Sequence, residues 1–431
     1  MLRVYEKEID LNWRLAPPEL HQQTLHQLDD SESVIRCVFG QQTSELGVVN
    51  QVLEKRTPFA FKQRPQENHN SFNVAYIVPT GVGAAQGGHA GDATPVLKAI
   101  SSIANLVFTH PNVVNASDIN EIPANAMYIE GSLLSSFLMG TIGLARRRQN
   151  RVLVLVGPHP EQMYTDLAVN AVNAARSTYG FDCSTIVSVP VTMKVKWSAS
   201  GRSSGEIKGM DNLFDILRQH QDTYDAIAIT SIIDIEPSTR DHYLKDGKDK
   251  LESVNPWGGV EAMLTHAIST ATNTPSAHGP MMPSSEVDNL DYGVVDARVA
   301  AEMISTTYLQ CVLKGLQRSP LAVDISAPHA LTASDVNAVV IPKGCFGLPI
   351  YAALHQNIKV IAVADKIYAA DQTDLVRSLS WRPGQYTEVA NYKEALGELA
   401  CLKSGITSAS ITRPLATIRL TVNVEQQKQP L

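Results

Sequence analysis

From residue 72 onward, short unbroken apolar runs alternate with longer stretches whose apolar positions recur every three to four residues. The short runs are "NVAYIVP", "NLVFTHP", "AMYIEG", "RVLVLVGP", "STIVSVPVTMKVKW", "AIAITSIID", "NAVVIPKG" and "KVIAVAD". A strand that is apolar at consecutive positions is buried on both faces, as in a parallel sheet covered by helices. Between several runs lie "EQMYTDLAVNAVNAARSTYG", "DNLFDILRQHQ" and "GLPIYAALHQN", which carry the stripe of a helix with one buried face. The pattern predicts an α/β fold: a mainly parallel sheet, or sheets, with helices on both faces. Its longest helical stretch, residues 296–317, predicts a core helix.

The first 70 residues have a different texture. "LRVYEKEIDL" alternates like a half-exposed strand, "PPELHQQTLHQL" predicts a helix with proline at its start, and "SVIRCVF" predicts another strand. "KQRPQENHNS" is a polar connector. The expected organisation is a small α+β N-terminal domain at 1–70 and an α/β catalytic or ligand-binding region, in two lobes, at 71–408. A C-terminal strand, "ATIRLTVNV", with a polar tail occupies 409–431.

Composition narrows the class. Hydrophobic residues at 44% against 18% charged residues suit a buried core and exclude a disordered chain. A net charge of -7 argues against a nucleic-acid partner. The one dense basic run, Arg146 to Arg148 with Arg151, predicts a solvated turn. No apolar segment approaches the roughly 18 residues a membrane span needs, and the N-terminus lacks an apolar signal core. The five cysteines are scattered and without a CxxC pair, which suits free thiols in a reducing cytoplasm. A homodimer is compatible with a chain of this size.

In a parallel α/β sheet, ligands bind beyond the carboxyl ends of the strands. There the chain places His89 and Asp92, then His110, Glu130, His159, Arg202, Asp234, Lys343 with Cys345, and Asp365. The richest such segment is "PTGVGAAQGGHAGDATP". Its Gly81, Gly83, Gly87 and Gly88 would let backbone amides approach an anion; the structural alternative is a close-packed crossover. It lacks the Gly-Lys-Ser/Thr of a Walker loop and the acid of a dinucleotide fingerprint. "SASGRSSGE" offers a second cradle through Ser200, Arg202 and Ser203, or a mobile surface loop. "NPWGGVEAMLTHA" brings Gly258 and Gly259 to a helix start, with Glu261 and His266 following, and "PSAHGPMM" adds His278.

His89, Asp92, His110 and Glu130 are the candidate acid and base groups, since imidazole and carboxyl side chains titrate near enough to neutrality. Lys343 and Cys345 would form an opposite wall, with the ammonium and a helix start lowering the thiol pKa. The chemistry requires no cofactor. A divalent metal is the group these histidines and acids would otherwise hold, although no HxH or HExxH pair supports one.

The phrases "PTGVGAAQGGHAGDATPV", "THPNVVNAS", "YIEG", "NPWGGVEAMLTHA", "PSAHGPM", "AAEMISTTYLQCVLKGL" and "VVIPKGCFGLPI" together resemble the family grouped as domain of unknown function 3326, which spans bacteria, archaea and plants. The resemblance covers roughly residues 70–366. It implies a shared fold and cleft, with the glycine loop and the "NPWGG" turn in one site, and it supplies no reaction. The expected function is a small-molecule enzyme that binds an anionic metabolite in a glycine-rich cleft and performs acid/base chemistry of isomerase, racemase or lyase type. A hydrolase or group transferase using the same cleft is the nearest alternative, and a non-catalytic metabolite sensor the next.

Overall fold

The computed structural model describes residues 2–39, 44–50, 55–87, 92–245, 254–303, 308–367, 369 and 371–420. In chain order the strands of these residues are β1 Val4–Ile9, β2 Glu32–Phe39, β3 Ser44–Asn50, β4 Asn73–Tyr76, β5 Leu106–Thr109 and β6 Ala126–Tyr128. Next come β7 Gly143–Ala145, β8 Val152–Val156, β9 Ile186–Ser188, β10 Thr192–Trp197, β11 Ser203–Lys208 and β12 Ala226–Asp234. The last are β13 Ser276–Met281, β14 Leu321–Val323, β15 Ala338–Pro342, β16 Lys359–Val363 and β17 Tyr386–Val389. The chain is an α/β protein, as its apolar runs predict.

A six-stranded sheet runs β17-β16-β15-β4-β5-β6, with every neighbouring pair parallel. A nine-stranded sheet runs β2-β3-β1-β11-β10-β12-β8-β9, and β13 pairs with β12 off this path. The pairings among β1, β2, β3, β11 and β10 are antiparallel, whereas β12 pairs in parallel with β10, β8 and β13, and β8 with β9. Strands β7 and β14 form a small ribbon. The N-terminal strands thus extend a sheet whose other members come from residues 152–281.

Alternation along the strands sorts the core into three. On one face of the six-stranded sheet, Ala75, Ile77, Phe108, Val339 and Val360 pack on helices Gly131–Leu138 and Leu348–Gln356. The other face, with Val74, Tyr76, Val107, Val340 and Ile361, shares its core with Val152, Val154, Ala226 and Ala228 of the nine-stranded sheet. The far face of that second sheet, with Leu153, Leu155, Ile227 and Ile229, packs on helices Met210–Gln219 and Gly258–Thr272. Both sheets are therefore covered on two sides, which is why their strands need no polar face.

Several local expectations change. "STIVSVPVTMKVKW" divides into β9 and β10 around Pro190, whose ring cannot donate to a ladder. "SSGEIK" and "SAHGPM", which look like loops, are the strands β11 and β13. Serines and glycines fill them because large neighbours press on them: a Cβ at Gly205 would lie 2.4 Å from Val260, and one at Gly279 2.9 Å from the Leu309 nitrogen. The helical stretch 296–317 is described as helices Ala297–Met303 and Tyr308–Leu316, with the residues between them outside the described set. Residues 416–420 carry no strand, and the rest of "ATIRLTVNV" lies outside the described residues. The basic run is a surface turn, with Arg151 donating to Asp225 at 2.9 Å and Arg147 3.7 Å from it.

Candidate functional site

Three glycine-bearing segments meet beside the ends of β4 and β12. The Ser203 amide donates to the Gly81 carbonyl at 3.0 Å. Its hydroxyl donates to the Pro256 carbonyl at 2.5 Å and accepts from the Gly259 amide at 3.2 Å. Glycine loop, β10–β11 hairpin and "NPWGG" turn thus lie together. The contact is backbone on backbone at Gly259, where a Cβ would stand 2.1 Å from the Ser203 carbonyl oxygen, and backbone on side chain at Gly258, where one would stand 2.3 Å from the Thr80 hydroxyl. The first amides of helix Gly258–Thr272 are already bound. Asn255 Oδ1 accepts from Trp257 and Gly258, and Ser203 takes Gly259. These glycines serve close packing, and the helix start is not an open anion cradle.

The open space lies to either side. A cavity of about 350 Å³ is lined by Glu130, Glu261, Glu302, Arg240 and His278 among apolar walls that include Trp257 and Met281. A second, of about 230 Å³, is lined by Arg36, Arg56, Arg202 and Cys345. Thr80, His110, Gly131 and His266 line both, so the two cavities meet at these four residues.

At that junction His266 Nδ1 is bonded to the Ala262 carbonyl, one turn earlier in its helix, and therefore carries a proton. Nε2 faces Glu130 Oε1 at 3.7 Å. Burial holds this imidazole below its ordinary pKa and nearby Arg36 adds to that, while Glu130 opposes both. Glu130 is fixed by its second oxygen, which accepts from the Ser132 and Leu133 amides and the Ser132 hydroxyl as the cap of helix Gly131–Leu138. Gly131 leaves the ring its room, since a Cβ there would sit 2.9 Å from His266 Nε2. His110 Nε2 accepts the Val78 amide at 3.1 Å, and burial, with His266 nearby, pushes its pKa down to about 3. It is a neutral ring whose Nδ1 is a donor, so its chemistry is hydrogen bonding rather than proton abstraction.

In the smaller cavity Arg202 is near enough to Arg36 to disfavour its charge. Burial first, then Arg202, brings Arg36 down to about 10. Arg36 donates to the Gly259 carbonyl at 3.1 Å, and Arg202 to the Ser200 hydroxyl at 2.9 Å. Two guanidinium groups held close together favour an anion between them.

In the larger cavity His278 Nδ1 lies 2.9 Å from Glu261 Oε1, and its Nε2 3.0 Å from the Ser231 hydroxyl. Strand pairing builds this chain, because Ile229 opposite His278 puts Ser231 on the same sheet face. Ser231 is 1% exposed and is not a lining residue, whereas Glu261 lines the cavity. Glu302 accepts from Tyr243 at 3.0 Å and Asn255 at 3.3 Å, and burial pushes it up to about 7, with Glu261 and Asp92 contributing.

Of the residues singled out from sequence, His110, Glu130, Gly258 and His278 line the larger cavity, and His110, Arg202 and Cys345 the smaller. His89 and Gly88 lie outside the described residues. Asp92 is not a lining residue; its Oδ1 accepts the Gly87 amide at 2.5 Å, and burial raises it to about 6. Gly81, Gly83 and Gly87 take positive φ, as the loop requires. Ser203 and Gly259 hold the backbone junction, and Ser200 supports Arg202. Lys343 is turned away, paired with Glu388 at 3.2 Å. Burial, and then Asp365 and Asp371, push the Cys345 thiol up, the opposite of the expected activation. His159 is structural, bonded to the Met282 carbonyl and the Glu161 amide.

Arg36, Arg56, Ser231 and Glu302 escaped the sequence reading. Three of them carried a signal: an arginine inside the apolar strand "SVIRCVF", a serine inside "AIAITSIID" and a glutamate inside the helical "AAEM". Among the described residues no group of three or more His, Cys, Asp or Glu is arranged to hold a metal ion. Nor is any helix among them long and apolar enough to cross a membrane.

Comparison with known proteins agrees with the extent of this architecture. The chain is 29% identical over 350 residues to an uncharacterized lipoprotein of Synechococcus sp., covering 79% of this chain and 94% of that one. No solved structure matches it. A model of the family described as protein of unknown function DUF3326 matches residues 73–412, from β4 through helix Tyr392–Lys403, and the chain belongs to that family.

Proposed function

We propose that the protein is a small-molecule enzyme that binds an anionic metabolite and performs acid/base chemistry of isomerase, racemase or lyase type. One observation carries this reading. A cavity lined by Arg36, Arg56 and Arg202 adjoins one lined by carboxylates, the two sharing Thr80, His110, Gly131 and His266. The arginines would hold the ligand's carboxylate or phosphate. The reacting carbon would lie at the junction, against His266 Nε2, and His110 Nδ1 would donate a hydrogen bond to a neighbouring oxygen. The apolar walls would exclude water and strengthen each of these interactions. The five cysteines are free and buried, which supports a cytoplasmic setting.

A hydrolase has a specific observation in its favour, because Ser231, His278 and Glu261 are linked as a nucleophilic triad would be. The order is reversed, however. Serine is the buried end and carboxylate the cavity end, so no nucleophilic oxygen faces a substrate.

The test is calorimetric titration of the full chain with small carboxylates and phosphates, together with proton NMR of the same compounds in D2O. An enzyme of this type binds some of them, weakens about tenfold or more on Arg36→Ala, and washes deuterium into the bound compound. Binding without exchange would indicate a metabolite sensor. No binding by any anion would remove the reading.

A further inference from the structure

We infer that the junction of the two cavities is a hydroxyl-binding subsite, formed by His110 Nδ1 and Glu130 Oε1, and that the metabolite is an anion bearing an alcohol. The inference rests on the anion-binding enzyme reading and names its substrate class. His110 and Glu130 follow the neighbouring parallel strands β5 and β6, which are paired at Thr109 and Tyr128. Such strands lie about 4.8 Å apart, so their ends bring both groups to one wall of the larger cavity. Hydrogen bonds already made fix what each group has left to offer. The Val78 amide donates to His110 Nε2 at 3.1 Å, so the ring proton is on Nδ1. His110 is 9% exposed, and among the described residues nothing accepts that proton. Glu130 Oε2 is filled by the Ser132 and Leu133 amides and the Ser132 hydroxyl. Among the described residues Oε1 meets only the Thr265 hydroxyl, at 3.4 Å, whose single proton also points to the Ala262 carbonyl at 3.3 Å. His266 Nδ1 gives its proton to that same carbonyl. Its Nε2, 3.7 Å from Oε1, is therefore an acceptor too. Two acceptors face one another with no proton between them, beside a buried donor with no acceptor.

A ligand group that supplies one proton and one lone pair resolves both mismatches, and the groups common on small anions differ in this respect. An ammonium has protons and no lone pair, so it would confront the His110 proton. A carbonyl oxygen has lone pairs and no proton, so it would confront Glu130 Oε1. An alcohol has one proton and two lone pairs, and it fits. With its oxygen on His110 Nδ1 and its proton on Glu130 Oε1, His266 Nε2 is left to face the carbon that carries it. Gly131 keeps that nitrogen accessible, since a Cβ there would stand 2.9 Å from it. The acid group of the same ligand reaches Arg36 and Arg202 in the smaller cavity, which His110 and His266 also line. A site built to bond a hydroxyl discriminates strongly against an analogue that lacks it, because its own buried groups are then left unpaired.

The experiment titrates the full chain calorimetrically with matched sets: lactate, propionate, pyruvate and alanine; malate and succinate; glycerol 3-phosphate and propyl phosphate. The expected result is that the hydroxylated member of at least one set binds about tenfold or more tighter than its partners. Glu130→Gln keeps a carbonyl oxygen to cap helix Gly131–Leu138 and puts an amide donor where Oε1 stood, so the preference for the alcohol should disappear. Equal binding of alcohol and deoxy compound, or tighter binding of the keto or amino acid, would overturn the subsite and leave the anion-binding reading standing. An alcohol preference that survives Glu130→Gln would overturn the role of Glu130. No binding by any member of any set would overturn both readings. A second measurement needs neither ligand nor variant: nitrogen-15 NMR of the histidine rings at pH 7 should show His110 and His266 each protonated on Nδ1 alone. A proton on Nε2 of either ring would also overturn the subsite.

Discussion

Ser203 places its carbonyl and hydroxyl against two other backbones, and only a residue without a side chain fits opposite. A Cβ at Gly259 would enter to 2.1 Å from the Ser203 carbonyl oxygen and 2.7 Å from its hydroxyl. The obstacle is strand backbone, which cannot rotate away as a flexible side chain would. Gly259→Ala should therefore cost about 1–3 kcal/mol, the usual cost of overpacking, read as a lower urea midpoint at unchanged slope. It should also weaken anion binding, because Arg36 is anchored on the Gly259 carbonyl. Gly180→Ala is the control. Nothing lies within 4 Å of a Cβ there, and only its φ of +66° resists substitution. A larger loss at Gly180 than at Gly259 would contradict this account.

At the scale of elements, what was legible depended on where polar groups were satisfied. β8, β12, β15 and β16 announced themselves because their neighbours are apolar on both faces. β13 did not, since Ser276 and His278 are buried polar residues whose partners, Ser269 and Glu261, sit on a helix that closes over the sheet. The connector "KQRPQENHNS" looked like a solvated boundary for the same reason. Arg64 within it is 8% exposed, and its guanidinium donates to the carbonyls of Gln356, Ala333, Val336 and Asn357. It fastens the connector to the six-stranded sheet's periphery as a helix cap shared by several chain segments would. Arg64→Met keeps the stem and strands those carbonyls, so stability should fall on the order of 3 kcal/mol. Glu130→Ala should cost less, about 1–2 kcal/mol, as the loss of one N-cap. Chemical denaturation of the two variants side by side checks the order, and the reverse order would refute it.

At the scale of the whole molecule, the site is assembled from segments far apart in sequence. Arg36 comes from β2, His110 from the end of β5, Glu261 and His266 from one helix and Glu302 from another. Local pattern could mark strand ends, but which ends face one another follows from sheet order, a long-range property. The same assembly buries groups of both kinds, and their effects on stability oppose. Glu302 titrates at about 7 when folded against 4.5 ordinarily, and Asp92 at about 6 against 3.8. Between roughly pH 4 and 7 the folded chain holds protons that the unfolded chain has released, so these acids lower stability as pH rises. His110 titrates at about 3 against 6.5, so below pH 6.5 the unfolded chain holds the extra proton and stability falls as pH drops. Two acids against one imidazole leave a net fall from about pH 4.5 to 6, the trends balance from there to 6.5, and above that only the Glu302 decline remains. On these three groups wild-type stability should therefore fall from about pH 4.5 to 6, hold to 6.5 and fall again to about pH 7. Glu302→Gln should remove the fall and raise stability at pH 8 by on the order of 1–2 kcal/mol, since partial solvation in the cavity reduces the full linkage. Urea midpoints at half-unit intervals from pH 5 to 8 measure it. A decline above pH 6.5 that persists in Glu302→Gln would place the proton on another group.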